Sequence, residues 1–96
     1  MGFYRIVRIL DVSGYKITCL FNTKEKRIVN FEPLIKANQA NKLVKELLSK
    51  VYFLNVSIDE IGGLYWPNGF DCSANKVHDW NKKTSIGSTK KGEFYT

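Results

Sequence analysis

Apolar and polar positions alternate along the first third of the chain, and this pattern predicts three β-strands. Residues 3–10 mix β-branched, aromatic and arginine side chains without a helical period, and residues 15–21 and 27–31 do the same. The polar segments Asp11-Val12-Ser13-Gly14 and Asn22-Thr23-Lys24-Glu25 are typical of turns and separate the three runs. The sequence therefore predicts a three-stranded antiparallel meander.

A helical period replaces this alternation in the middle of the chain. Pro33 ends the third strand because proline cannot donate to a strand ladder, and Leu34-Ile35 is expected to form an apolar turn. From Gln39 to Lys50, apolar residues recur every three or four positions, which predicts one main helix that covers one face of the sheet. Either Asn38 or Asn41 is expected to cap its start. The apolar positions of this helix are Ala40, Leu43, Val44, Leu47 and Leu48.

Alternation returns over residues 52–59 and predicts a further strand, with Leu54, Val56 and Ile58 on one side. Glu60-Ile61-Gly62-Gly63 follows as a hairpin turn, because it lacks the strand-to-helix context and the further glycines of a phosphate-binding loop. In the meander, alternation leaves two choices of inward residue open. These choices are Ile17 or Thr18 and Ile28 or Val29.

The segment Trp66-Pro67-Asn68-Gly69 predicts a sharply defined hairpin loop. Its proline fixes φ at the first central position, and its glycine can adopt the positive φ that closes a three-residue loop. Residues 64–66 should therefore pair with residues 70–72. Ser73 then suits the N-cap of a short helix over Ala74–Trp80.

Together these elements predict an α+β domain. It consists of an antiparallel meander and hairpins, one main helix packed on one face of the sheet, and a short C-terminal helix. The domain is expected to span residues 1–80, and residues 81–96 to form a basic, flexible tail, because they lack an apolar pattern. Hydrophobic residues make up 44% and aromatic residues 14% of the chain, which is typical of a folded globule.

The two cysteines and the N-terminus bear on location. Cys19 and Cys72 lie in apolar runs without neighbours at zinc spacing, so we expect both to be small buried hydrophobes. Two unpaired thiols fit a reducing, cytoplasmic compartment best. The N-terminus has no signal-peptide pattern and no segment approaches the about 20 apolar residues of a membrane span, so no membrane association is expected.

The formal net charge of +6 suggests nucleic acid as an alternative partner. Residues 1–80 carry eleven basic and eight acidic side chains, and the tail carries four lysines and Glu93, so half of the excess charge lies in the tail. The alternative function is therefore a weak nucleic-acid-binding or regulatory protein that uses its basic surface and tail. The tail lysines are Lys82, Lys83, Lys90 and Lys91.

Further basic residues are expected along one edge of the meander. There they either attract phosphate groups or protect a strand edge from aggregation. These residues are Arg5, Arg8, Lys24, Lys26 and Arg27.

No group of side chains has the pattern of a catalytic, metal or cofactor site. His78 is the only histidine, and we expect it on the surface or at a helix terminus, because Asp79 beside it should face another way. A small enzyme would need His78 to share a pocket with Asp71 and Cys72. Otherwise Asp71 is expected to accept N–H groups of the turn. Trp66 is expected in the core, the alternative being a ring that stacks on a flat ligand.

Two strings of residues carry a family resemblance. Phe31-Glu32-Pro33-Leu34-Ile35 follows the meander, and Trp66-Pro67-Asn68-Gly69-Phe70-Asp71 precedes the last helix. In this order they resemble the short bacterial domains of unknown function called DUF2442, over about residues 3–80, although Cys72 and Val77 stand where an aliphatic residue and a leucine are usual. The resemblance implies a small α+β domain without established enzymatic activity, whose relatives occur beside a second small protein in toxin–antitoxin-like gene pairs.

The absence of a catalytic pattern and the family resemblance together favour a non-enzymatic protein-interaction module. Its predicted partner is another small protein, with this chain as the antitoxin-like member of the pair. Such a module should carry an apolar or aromatic patch on its surface. The candidate binding residues are Trp66, Asn68, Asp71, Arg5, Arg8 and Arg27.

Overall fold

A computed structural model describes residues 3–80, which form two small antiparallel sheets and four short helices. The first three strands build one sheet and the last three build the other, so the α+β class is confirmed. The strands are β1 (Ile6–Ser13), β2 (Lys16–Phe21), β3 (Lys26–Asn30), β4 (Ser57–Ile58), β5 (Leu64–Tyr65) and β6 (Asp71–Cys72). The helices are α1 (Glu32–Ala37), α2 (Lys42–Glu46), α3 (Lys50–Phe53) and α4 (Ala74–His78).

The first sheet is the predicted meander, with β2 between β1 and β3. Its side chains alternate between a face on the core and a face toward solvent. Ile17 and Val29 are the inward residues of the two open choices, and both are fully buried as a cross-strand pair. Thr18 is half-buried and Ile28 is 57% exposed on the opposite side.

The free edge of β1 is irregular and partly closed. Val7 and Leu10 are extra residues without a partner on β2, so each makes a bulge. The N–H of Ile6 donates to the carbonyl of Gly62 over 2.8 Å. Gly62 has a φ of +88°, and a Cβ at this position would lie 2.7 Å from the Cβ of Arg5. The close approach of the two segments therefore requires glycine.

The middle of the chain differs from the prediction. The single helix expected over Gln39–Lys50 is replaced by α2 and α3, and the strand expected over residues 52–59 shrinks to β4. Ser49 is the cause, because its extended backbone interrupts the helix and its hydroxyl accepts the N–H of Tyr52 over 3.2 Å. The new cap starts α3 inside the predicted strand.

The neighbouring helices are also defined by their caps. Asn41 rather than Asn38 caps α2, because its side chain accepts the N–H groups of residues 43 and 44. Leu34 and Ile35 lie in α1 rather than in a turn, since Pro33 occupies the first helical turn, where proline is tolerated. Among the apolar positions predicted for the main helix, Val44 and Leu47 are buried, Leu48 is half-buried, and Ala40 and Leu43 are exposed.

The hairpin of Trp66-Pro67-Asn68-Gly69, here called the Trp66 turn, forms as predicted. Gly69 has a φ of +98° and donates to the carbonyl of Trp66 over 2.9 Å. Strand β5 pairs with β6, and the Ser73 hydroxyl caps α4 by accepting the N–H of Lys76 over 3.2 Å. Helix α4 ends at His78, two residues before the predicted end. Residues 81–96, predicted to be a flexible tail, lie outside the described residues.

Candidate interaction surface

Trp66 lies in the centre of the core and is fully buried. Its indole N–H donates to the carbonyl of Phe53 over 3.0 Å, and its ring packs against Phe31, Phe53 and Phe70 at centroid distances of 5.4 to 5.6 Å. Because no part of the ring reaches solvent, the alternative in which Trp66 stacks on a flat ligand is wrong.

Asn68 holds the Trp66 turn against α2. Its Nδ2 donates to the carbonyl of Leu43 over 3.1 Å and to Oε1 of Glu46 over 2.6 Å, and its Oδ1 accepts the N–H of Phe70 over 2.9 Å. The side-chain amide has therefore used its carbonyl and two amide hydrogens inside the protein. Asn68 acts as a structural tie rather than as a free binding group.

A groove of about 530 Å³ runs between the N-terminal segment, the β4–β5 turn and the start of α4. Phe3 and Ile61, which are 78% and 74% exposed, stand at its rim, and Asp71 and Cys72 contribute to its wall. Burial raises the pKa of the Cys72 thiol to about 12. His78 does not line the groove, so the three residues that the enzyme alternative needs do not meet in it.

His78 is buried, with 3% of its surface exposed, so a surface position is wrong, whereas its place as the last residue of α4 agrees with the expected helix terminus. The expectation that Asp79 faces another way is wrong, because its carboxylate meets the His78 ring. Its ring stacks on Tyr4 at a centroid distance of 3.6 Å and meets Phe21 edge-on at 5.1 Å. Nε2 lies 2.7 Å from Oε1 of Glu25, and Nδ1 lies 3.2 Å from Oδ1 of Asp79. The ring is thus held between two carboxylates and two aromatic rings.

These contacts form what we call the His78 cluster, which contains Tyr4, Glu25, Arg27, His78 and Asp79. The Glu25 carboxylate accepts from His78, from the Thr23 hydroxyl at 2.7 Å and from the Arg27 guanidinium at 3.0 Å. These bonds, led by that of His78, lower the pKa of Glu25 to about 2. The two carboxylates face opposite nitrogens of the ring, and residues 3–80 contain no group of three His, Cys, Asp or Glu side chains placed for a metal.

The candidate arginines lie in three different places. Arg27 is bound to Glu25, and Arg5 donates to the carbonyl of Glu60 over 3.3 Å. Arg8 is exposed and makes no salt bridge within residues 3–80. The prediction that these basic residues share one edge of the meander is wrong, because β2 separates β1 from β3.

The solvent side of the first sheet carries both exposed apolar and basic side chains. We call this side the outer face, and Ile28 is its most exposed apolar member at 57%. Across β2 from it, Val7 and Leu10 at the β1 bulges are 52% and 42% exposed. The outer face is defined by three cross-strand rows, Arg8–Leu20–Lys26, Asp11–Thr18–Ile28 and Ser13–Lys16–Asn30.

The free edge of β3 carries unpaired backbone groups. β3 pairs with β2 residue for residue without a bulge. The N–H of Phe21 donates to the carbonyl of Glu25, and the N–H of Phe31 donates to the carbonyl of Tyr15. These two bonds fix which residues of β3 direct their backbone groups toward β2. The residues between the hydrogen-bonded pairs direct N–H and C=O away from β2. No backbone group in the described part of the chain pairs with them. These residues, which we call the open edge, are Lys26, Ile28 and Asn30.

Sequence analysis missed Glu25 as the partner of His78 and left open whether Ile28 or Val29 faces outward. Glu25 and His78 are separated by 53 positions, so no local pattern links them. Ile28 had a usable signal, since Phe31 and Val29 are two positions apart and both are buried, which turns Ile28 outward.

Comparison with known proteins places the chain in a family. The sequence model of DUF2442, described as a protein of unknown function, matches residues 6–83, which include the meander, all four helices and the Trp66 turn. The chain therefore belongs to the DUF2442 family. A search of curated proteins and a search of solved structures each found no match. No helix within residues 3–80 is long and apolar enough to cross a membrane.

Proposed function

We propose that this DUF2442 protein is a non-enzymatic interaction module that binds another protein through its outer face. The carrying observation is that three apolar side chains on the two edge strands of that face, Ile28, Val7 and Leu10, all remain more than 40% exposed. Exposed apolar side chains gain free energy when a partner covers them, at about 25 cal/mol per Å² of buried apolar area. We therefore expect a partner protein to cover this face.

The charges on the outer face indicate the surface chemistry of the partner. Arg8, Lys16 and Lys26 lie on the same face as these apolar side chains, and Asp11 is the one acidic residue in the three rows. Complementary charges speed association and select the partner. The proposed partner is a protein segment that presents acidic side chains around apolar ones. An antitoxin-like role stays a prediction, because it depends on what that partner does.

Three observations support a binding role over a catalytic one. Both nitrogens of His78 already face carboxylates, so neither is available to a substrate. The Cys72 thiol has a pKa of about 12, which leaves almost no thiolate as a nucleophile near neutral pH. Asp71 lies in a groove that His78, the one histidine of the chain, does not line.

A charge-reversal pair tests this function. The immobilised full chain is exposed to a nuclease-treated lysate of its source cells, and each retained protein is quantified by mass spectrometry. The double variant Arg8→Glu/Lys16→Glu reverses two charges on the outer face. Lys42→Glu/Lys45→Glu is the matched control, because it makes the same charge change on exposed residues of α2.

We expect a retained protein with an acidic surface that the outer-face variant loses at least tenfold and the α2 variant keeps, because only the first removes complementary charges. Equal loss from both variants would mean that net charge, rather than the outer face, holds the partner. Retention that is seen only when the nuclease treatment is omitted would favour the nucleic-acid alternative. No protein lost selectively by the outer-face variant would contradict the proposal.

A further inference from the structure

The open edge has a feature that the proposed binding face does not explain. Lys26, Ile28 and Asn30 each present an N–H and a C=O that no described backbone group uses. Such a row is a ready template for another strand, and proteins usually interrupt it with a bulge, a proline or a covering loop. β3 has no bulge and no proline between Lys26 and Asn30.

We infer that a second copy of this chain pairs with the open edge, so that two three-stranded sheets join into one six-stranded sheet. The two β3 strands run antiparallel about a two-fold axis at Ile28. In this register Lys26 faces Asn30 of the second copy, Arg27 faces Val29, and Ile28 faces its own equivalent. Each of the three outward pairs exchanges two backbone hydrogen bonds.

The side chains suit this register. The 57% exposed Ile28 meets the same residue of the second copy on the outer face, which gives an apolar cross-strand contact at the axis. No basic residue of β3 stands directly opposite another, because Lys26 faces an amide and Arg27 faces a valine. The two outer faces become one continuous surface with the Ile28 pair at its centre.

The net charge of +6 per chain opposes association but does not prevent it. The two Lys26 side chains sit four residues apart along the paired strands, or about 14 Å at about 3.4 Å per residue. This separation exceeds the Debye length of about 8 Å at physiological salt. Arg27 is already neutralised by Glu25. Added salt should therefore strengthen the pairing between copies, whereas it should weaken the binding of an acidic partner.

The edge of β1 limits the assembly to two copies. The bond from Ile6 to Gly62 and the bulges at Val7 and Leu10 interrupt its row of backbone groups. The two copies use their regular β3 edges on each other, so the pairing closes on itself as a dimer and leaves no further β3 edge for a third chain.

Ile28→Cys tests the register. Ile28 and its equivalent would form a hydrogen-bonded pair with Cα atoms about 5.5 Å apart, which lies within the range that a disulfide spans. Burial raises the pKa values of Cys19 and Cys72 to about 12, so the native thiols should stay silent. Val51→Cys is the control, because Val51 is 78% exposed and lies in α3 rather than in the first sheet.

In a mild oxidised–reduced glutathione buffer at micromolar protein, we expect Ile28→Cys to give mainly a disulfide-linked dimer and Val51→Cys to give mainly the glutathione adduct. Non-reducing electrophoresis and intact mass distinguish the two products. Equal cross-linking of both variants would reflect random collision and would overturn the inferred register.

Ile28→Pro tests the backbone bonds themselves. The Ile28 N–H points away from β2, so proline there removes no bond within the subunit but does remove bonds across the two-fold axis. In sedimentation equilibrium we expect the native chain to be dimeric and Ile28→Pro to be at least tenfold weaker in self-association, with an unchanged far-ultraviolet circular dichroism spectrum. If that spectrum changes, the proline has altered the fold of the subunit, and the cross-linking of Ile28→Cys then tests the inferred dimer by itself.

Two results would overturn the inference. The first is a native chain that stays monomeric at high salt and at the highest attainable concentration. The second is a monomeric chain whose lysate partner is lost on Ile28→Pro, which would give the open edge to another protein. Neither result tests the proposed binding through the outer face. The variant Arg8→Glu/Lys16→Glu tests that proposal, and its residues lie on β1 and β2 rather than on β3.

Discussion

The free edges of β1 and β3 belong to the same sheet, yet they offer a neighbouring strand very different surfaces. On β1, Ile6 donates to the carbonyl of Gly62, and bulges at Val7 and Leu10 interrupt the remaining groups. The open edge on β3 is regular and unpaired within residues 3–80. Because an unprotected regular edge promotes association, its presence beside a protected one suggests that β3 is kept open for a partner.

The open edge is also held rigidly at both ends. Glu25, immediately before β3, is bound to His78 at 2.7 Å, and Phe31, immediately after it, is buried in the aromatic core. Glu32 follows as the start of α1, and its N–H donates to Oδ1 of Asn30 over 3.0 Å. A strand fixed in this way loses little conformational entropy when a second strand pairs with it.

The largest effect should come from opening the closed edge with Gly62→Ala. The alanine Cβ would lie 2.7 Å from the Cβ of Arg5, and φ is +88°. Strain and the clash should together lower the free energy of unfolding by about 3 kcal/mol or more. Gly14→Ala is the matched control, because its φ is +61° but nothing lies within 4 Å, so it should cost only about 1–2 kcal/mol. Urea unfolding of both variants measures the difference, and equal losses would contradict the role of Gly62.

An intermediate, pH-dependent effect should come from the His78 cluster at the start of β3. The pKa of Glu25 is lowered from 4.5 to about 2 in the folded chain. A lowered carboxyl pKa stabilises the fold above the unfolded value, and that contribution is lost as the pH falls from about 4.5 through about 2. The free energy of unfolding should therefore exceed that of Glu25→Gln most above pH 4.5, and the difference should shrink toward pH 2.

His78→Phe is the control for this pH effect. Phenylalanine keeps an aromatic ring beside Tyr4 but cannot donate to Glu25. In the His78→Phe background, the effect of Glu25→Gln on the free energy of unfolding should depend less on pH between pH 2 and 4.5, since the largest cause of the lowered pKa is gone. An unchanged pH dependence would show that Arg27 and Thr23, rather than His78, hold the carboxylate charged.

The difference between the two edges could be predicted only in part from the sequence. Alternation located the three strands, because a half-buried sheet imposes a period of two, and turn chemistry located the Trp66 turn and the Ser73 cap. The prediction of a single helix over residues 39–50 was wrong, because Ser49 adopts an extended capping conformation that interrupts the helix. Such a conformation depends on tertiary packing as well as on local propensity.

The site was less predictable than the fold. Whether a strand edge is open depends on what the rest of the chain places beside it, and the Gly62 carbonyl reaches β1 from 56 positions away in sequence. The burial of His78 has the same origin, because Tyr4, Phe21 and Glu25 come from distant segments. The alternation of Val29 and Phe31 is the one local signal that could have placed Ile28 on the outer face.

The smallest effect should come from Ile28→Thr, which changes a side chain on the open edge. Ile28 is 57% exposed and makes no core contact that threonine would lose, and threonine keeps the β-branch that suits a strand. The free energy of unfolding of the monomer should change by no more than about 0.5 kcal/mol.

The adjacent Val29→Thr should cost about 2 kcal/mol, because it places a hydroxyl in the fully buried inner face. Both are measured by urea unfolding at a protein concentration low enough to suppress self-association. A loss at Ile28 as large as that at Val29 would mean that the Ile28 side chain is already packed within the subunit and is not free to meet a second copy across the open edge.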